Sequence, residues 1–286
     1  MSGSAHDTNA MKGYMDAHQH FWTYDLQAHS WINDKMQVIR RDFLPGDLLP
    51  VLQQNGVEGC IAVQADQSDE ETMFLIDLAD KNAFIKGVVG WVDLRSERIR
   101  ELLSAYRQYP VVKGFRHILQ GEEPSFMLQP DFLRGIRALK DFHFTYDILI
   151  YPKHLSAALE LVKQFPDQPF IIDHIAKPDI KQGLIEEWAA GMRALAAYPN
   201  VYCKISGMVT EADWRHWTKE QLFPYLEVVA DAFGLDRLLY GSDWPVCLVA
   251  ASYAEMIQPI REYFSKFSAD EQLKVFRNNT INFYHL

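Results

Sequence analysis

Cysteine is scarce and unmatched in this chain: Cys60, Cys203 and Cys247 are odd in number, far apart and in no CxxC arrangement. That speaks against a disulfide framework and for free buried thiols in a reducing compartment. Basic residues are outnumbered, 28 Lys and Arg against 38 Asp and Glu, for a net charge of -10. A surface of that sign repels phosphate backbones and anionic lipid, so neither nucleic acid nor a membrane is expected as a partner. No apolar run reaches the roughly 20 residues of a membrane helix. Residues 1–12 lack the apolar core of a secretory signal and read as a disordered tail on a cytoplasmic protein. No Gly/Ser- or Pro-rich linker and no short-period repeat divides the rest, so 13–286 reads as one domain. No GxGxxG or GxxxxGK[ST] follows any apolar run, which removes the usual nucleotide-binding folds.

What is present is alternation. Short apolar runs lie at 14–20, 59–65, 85–92, 111–117, 144–149, 170–174, 201–205 and 238–243. Between them, helical spacing covers 70–81, 96–106, 131–141, 154–164, 184–197 and 219–233, and after them 253–264 and 270–283. A weaker helix pattern at 45–55 is crowded by Pro45, Gly46 and Pro50. Strands apolar in both parities are buried on both faces, as in parallel sheets. About eight strand–helix units predict a closed (β/α)8 TIM barrel, an architecture of about 250 residues, over a doubly wound sheet.

In such a barrel, chemistry is carried where strands end and loops begin. The first run closes Asp16-Ala17-His18-Gln19-His20. Strict alternation puts Asp16, His18 and His20 on one face, two imidazoles pointing into one space. His174 ends Phe170-Ile171-Ile172-Asp173-His174, before Pro178, and Asp243 ends the eighth run, before Pro245. Singly, each has a plainer reading: a hydrogen-bonded core histidine, or a helix-capping aspartate. Together, at separate strand ends, His18, His20, His174 and Asp243 read as an active site.

These segments resemble the amidohydrolase superfamily, and within it the lactonase branch of L-fuconolactonases, L-rhamnonolactonases and the pyrone-dicarboxylate lactonase. The resemblance rests on Asp16-Ala17-His18-Gln19-His20-Phe21-Trp22, Val112-Lys113-Gly114-Phe115-Arg116-His117, Asp173-His174-Ile175-Ala176-Lys177-Pro178 and Tyr240-Gly241-Ser242-Asp243-Trp244-Pro245. It implies a (β/α)8 fold and water attack on a cyclic ester, with Asp243 as general base and His18, His20 and His174 polarising the carbonyl. Two-metal members add a carboxylated lysine at the end of the fourth strand. Lys113 sits at least three residues too early for that, so no two-metal site is expected.

The chemistry has its own logic. Water attack on a neutral lactone develops one oxyanion, which needs donors, while the water needs a base. Neutral histidines, Arg116 or a single cation can serve as donors. Esters are labile, so the expectation is that no cofactor is required. If one Zn2+ binds, His18, His20, His174 and Asp243 are its ligands, an N/O set suited to that ion. Substrate contacts are expected from Arg116, His117, Trp31, Trp91 and Trp244, with Arg116 and His117 facing opposite ways. Beyond Arg116, Lys177 and Lys204, few basic residues sit at strand ends, which tilts the small-molecule substrate toward a neutral polyhydroxy lactone. The acidic stretch 66–71 reads as a solvated helix start rather than a metal site. Rival functions are a zinc-dependent decarboxylase of a carboxylated aromatic, an amide hydrolase, and a binding protein without turnover. A homo-oligomer is left open.

Overall fold

The computed structural model describes residues 13–286, and the tail expected over 1–12 lies outside them. Eight parallel strands pair in chain order: β1 (Tyr14–Gln19), β2 (Val57–Val63), β3 (Ile85–Gly90), β4 (Val112–Ile118), β5 (Thr145–Leu149), β6 (Phe170–Ile172), β7 (Val201–Ile205) and β8 (Leu238–Tyr240). The sheet curls until its last strand meets its first. Beyond the end of β8, the Asp243 amide donates to His18 O at 2.8 Å and the His20 amide donates to Trp244 O at 2.7 Å. The expected (β/α)8 barrel is what the chain forms.

Each strand is apolar in both parities because each face has something to cover. Ala17, Ile61, Val63, Val89, Ile171 and Leu239 pack together inside the barrel. Cys60, Ala62, Val88 and Ile172 belong to the larger cluster shared with the helices. Those helices are α1 (Pro45–Gln54), α2 (Asp69–Lys81), α3 (Ile99–Tyr106), α4 (Pro130–Asp141), α5 (Leu155–Gln164), α6 (Glu186–Ala196), α7 (Lys219–Phe233) and α8 (Tyr253–Phe264). In α4, Phe132, Ile136 and Leu139 recur at the spacing that lines one helical face, and all are buried. The 45–55 segment does form a helix, since Pro45 sits in its first turn where no amide partner is needed.

The acidic stretch before α2 is a helix start, as expected. Ser68 caps it by accepting from the Glu71 amide at 3.2 Å, and Asp69, Glu70 and Glu71 fill the first turn. The final helix is less regular than its periodicity predicts. It runs as Ala269–Leu273, a π turn over Lys274–Asn278, and Asn279–Tyr284. Phe283 and Tyr284 from its last turn join the inner barrel cluster. No helix among the described residues is long and apolar enough to cross a membrane.

Candidate active site

β1 departs from strict alternation. Its register with β2 shifts between Asp16 and Gln19, so Ala17 and the His18 imidazole both turn into the barrel. The expectation that Asp16 shares a face with the histidines is corrected here. Its carboxylate accepts from the Ser242 amide at 2.8 Å and from Tyr253 Oη of α8 at 3.0 Å. Burial pushes Asp16 up to about 6 against the pull of those hydrogen bonds. Asp16 ties β1 to β8 and the helical layer.

His174 and Asp243 lie beyond their strands, not at the strand ends expected for them. β6 stops at Ile172 and β8 at Tyr240. The reason is backbone conformation: His174, Ile175, Ala176 and Lys177 have φ of 52°, 48°, 58° and 48°, and Asp243 has 56°. A left-handed backbone costs an L residue roughly 1–2 kcal/mol, and it cannot continue a ladder. The turn persists because its surroundings hold it. Trp188 Nε1 donates to Ile175 O at 2.7 Å, and Lys177 Nζ lies 2.6 Å from Glu211 Oε1. Such turns aim side chains off the strand axis and into the mouth.

The result is convergence. Asp243 Oδ1 lies 3.3 Å from His20 Nε2, 3.8 Å from His174 Nε2 and 3.9 Å from His18 Nε2. His18 and His20 approach each other at 3.2 Å, Nε2 to Nε2. Each Nδ1 is engaged away from this cluster. His20 Nδ1 donates to Val63 O at 2.7 Å, His174 Nδ1 meets Ser206 Oγ at 2.8 Å, and His18 Nδ1 lies 3.3 Å from Asp173 Oδ1. Partners of that kind fix tautomer and ring orientation. Gly207 makes room: at φ +60°, a Cβ there would sit 2.7 Å from His174 Nδ1 and 3.2 Å from Asp243 Oδ2.

Burial lowers His174 to about 3, and drives His18 below the usual imidazole range, so both rings are neutral near pH 7. Burial opposes ionisation of Asp243 too, but the facing imidazoles more than offset it and hold the carboxyl well below its usual range. The site is an ionised carboxylate among imidazoles.

Beneath it runs a buried chain of charges. Arg116 Nη1 lies 3.0 Å from Asp173 Oδ2 and 3.2 Å from His18 Nε2, and Nη2 donates to Gln64 O. Lys204 Nζ lies 3.0 Å from Asp173 Oδ1 and 2.5 Å from Asp147 Oδ2, which also accepts from Tyr284 Oη at 2.9 Å. Burial opposes the charge on Asp173, yet Lys204, His18 and Arg116 hold its carboxyl well below the usual range. Sequence reasoning missed Asp173, Asp147 and Ser206 as parts of the site. Its available signal was a charge inside an apolar run, Asp147 in 144–149 and Lys204 in 201–205, because a buried charge demands a partner.

A cavity of about 540 Å3 opens above the cluster, lined among others by His20, Trp31, Arg116, His174, Lys177, Glu211, Trp214 and Asp243. Of the five expected substrate contacts, Arg116 and Trp31 line it. His117, Trp91 and Trp244 are not among the lining residues. His117 faces away from Arg116, stacked on Phe126 with ring centroids 5.0 Å apart, and Trp91 Nε1 donates to it at 3.4 Å. Trp244 is buried edge-on against Phe43 at 5.1 Å. Lys113 donates to His285 O at 3.1 Å and lines no part of the cavity.

The donors suit a metal ion, since one nitrogen each of His18 and His20 and a carboxylate oxygen of Asp243 lie within 4.8 Å of one another, and His174 Nε2 is 3.8 Å from Asp243 Oδ1. One of them is contested: the Arg116 guanidinium already abuts His18 Nε2.

An L-fucono-1,5-lactonase from Burkholderia multivorans is 37% identical over 284 residues, covering 95% of this chain and 96% of the relative. An L-fucono-1,5-lactonase from Burkholderia ambifaria is 36% identical over 277 residues, with 95% of each covered. The crystal structure of an amidohydrolase from Burkholderia multivorans with bound zinc superposes with a TM-score of 0.93 at 37% identity, over 96% of this chain and 99% of that one. The family model described as amidohydrolase matches residues 15–286, and the chain belongs to that family.

Proposed function

We propose that this chain hydrolyses a sugar lactone, with Asp243 as the base that activates water. The observation that carries this reading is the Asp243 carboxylate on the cavity wall, with three imidazole nitrogens within 3.9 Å. His20 gives its Nδ1 hydrogen to Val63 O, which holds its Nε2 3.3 Å from Asp243 Oδ1. A water donating one hydrogen to Asp243 turns a lone pair toward the substrate carbonyl.

As the water oxygen bonds to the carbonyl carbon, its proton passes to Asp243 and the carbonyl oxygen becomes an oxyanion. Arg116, charged and on the cavity wall, stabilises that oxyanion. His174, accepting from Ser206 on Nδ1, offers an Nε2 hydrogen to the same oxygen. His18 abuts Arg116 and Asp173 and holds the guanidinium in place. When the intermediate collapses, the ring C–O bond breaks and Asp243 returns its proton to the departing oxygen. The product is a hydroxy acid, which ionises and releases one proton per turnover.

A zinc ion, when bound, would be held by His18, His20, His174 and Asp243 and would polarise the carbonyl or acidify water. Because Arg116 already brings positive charge to His18 and the substrate is an ester, turnover is proposed not to require it. Chelation with metal analysis in parallel tests this, and complete loss restored by Zn2+ would overturn it. The substrate class follows the relatives, L-fucono-1,5-lactonases, and a cavity wall that mixes aromatic and polar groups. A pH-indicator screen of aldonolactones tests the whole reading. Steady acid release from at least one is expected, and a panel left intact while a carboxylated aromatic releases carbon dioxide would replace it.

A further inference from the structure

The mechanism above uses the inner end of the cavity and leaves a second polar group on its wall unexplained. Lys177 and Glu211 both line the cavity, from the loops after β6 and β7, with side chains only 13% and 20% exposed. Their contact, Nζ to Oε1 at 2.6 Å, satisfies each only in part. Oε1 also receives Thr210 Oγ at 3.3 Å, whereas Oε2 takes no hydrogen bond among the described residues. Lys177 Nζ donates to no other atom among them, so it has two hydrogens to spare. Nearby, Trp214 also lines the cavity, and its Nε1 donates to Thr210 O at 2.8 Å, which fixes the ring beside the pair.

Spare donors and a spare acceptor side by side are what vicinal hydroxyls need. One hydroxyl oxygen accepts from the ammonium, and the neighbouring O–H donates to the carboxylate. An aromatic ring beside them suits the apolar C–H face of a pyranose. A free phosphate or carboxylate would be repelled by Glu211, so the pair selects neutral polyols. We infer that Lys177, Glu211 and Trp214 form a subsite that binds the ring hydroxyls of a polyhydroxylated lactone while its carbonyl lies at Asp243, making them specificity-determining residues. This rests on the lactonase reading of the same cavity.

The test compares two substrates in one protein: an aldono-1,5-lactone and δ-valerolactone, the same ring without hydroxyls. The readout is the ratio of their kcat/KM values in wild type, Glu211→Gln and Trp214→Ala. Glu211→Gln keeps the shape and loses the charge-assisted bond, so the ratio is expected to fall about 10- to 100-fold, mostly through KM of the hydroxylated lactone. Trp214→Ala should move the ratio in the same direction, which keeps the test decisive if one variant fails to fold. A ratio unchanged in the folded variants, including an equal loss on both lactones, overturns the subsite. Wild type that opens δ-valerolactone but no aldonolactone also overturns it while lactonase chemistry stands. Wild type that opens neither ring removes the parent reading instead.

Discussion

Lys204 is the pivot of the buried charge chain, and replacing it makes a prediction with a sign and a size. Its ammonium sits between Asp147 Oδ2 at 2.5 Å and Asp173 Oδ1 at 3.0 Å, with all three side chains inaccessible to solvent. Lys204→Met keeps most of the volume, leaves the Asp147 carboxylate with Tyr284 Oη alone, and leaves Asp173 to Arg116 and His18. Removing one partner of a buried pair costs about 3–5 kcal/mol, which in a domain near this size lowers Tm by about 6–20 °C. The loss should depend on pH. Burial already raises Asp147 to about 6 against the opposing pull of Lys204, and without that ammonium it rises further. A carboxyl whose folded pKa exceeds its unfolded value binds its proton more tightly in the native state, so its stabilisation is present in acid and lost as pH rises through the folded value. The deficit of the variant should therefore widen above about pH 6. Urea denaturation of wild type, Lys204→Met and the double variant Lys204→Met/Asp147→Asn at pH 5.5 and pH 8 measures it. The double variant should recover at least about 1 kcal/mol at pH 8. A single variant as stable as wild type at pH 8, or a deficit equal at both pH values, would refute the reasoning.

Two further substitutions probe other parts of the structure. Burial raises Glu71 to about 7, although the Ala65 amide donates to it at 3.0 Å. Its stabilisation is therefore full below about pH 4.5 and gone above about pH 7. Glu71→Gln should gain up to about 3 kcal/mol at pH 8 and little at pH 5, read as a Tm difference that a pH-independent gain would contradict. Gly207→Ala drives a methyl against His174 and Asp243. It should lower kcat about 100-fold or more with the circular dichroism spectrum intact, and undiminished turnover would show that the fit around His174 is loose.

The barrel was legible because burial on both faces leaves a plain mark, apolar runs in both parities separated by helical spacing. That His18, His20, His174 and Asp243 approach one another was legible because they end separate runs that open at one mouth. What escaped was local geometry. Alternation misplaced Asp16, since one register shift in β1 turns both Ala17 and His18 inward. The left-handed turn at 174–177 has no glycine to announce it, and it is held by Trp188 of α6 and by Glu211 from the loop after β7. His117 and Arg116 were known to face opposite ways, but only the register of β4 against β5 and the packing of Phe126 decide which enters the cavity. Trp91 and Trp244 follow strands as expected, but Trp244 is consumed by packing on Phe43 and the half-buried Trp91 donates to His117, which residue type alone does not reveal.

The most direct measurement is the rate of acid release from an aldonolactone by Asp243→Asn beside wild type, with near-ultraviolet circular dichroism verifying that the barrel is intact. Asparagine keeps the shape and cannot take a proton from water, so turnover should fall by about two to four orders of magnitude. A folded Asp243→Asn protein that opens the ring as fast as wild type would contradict the assignment of the base.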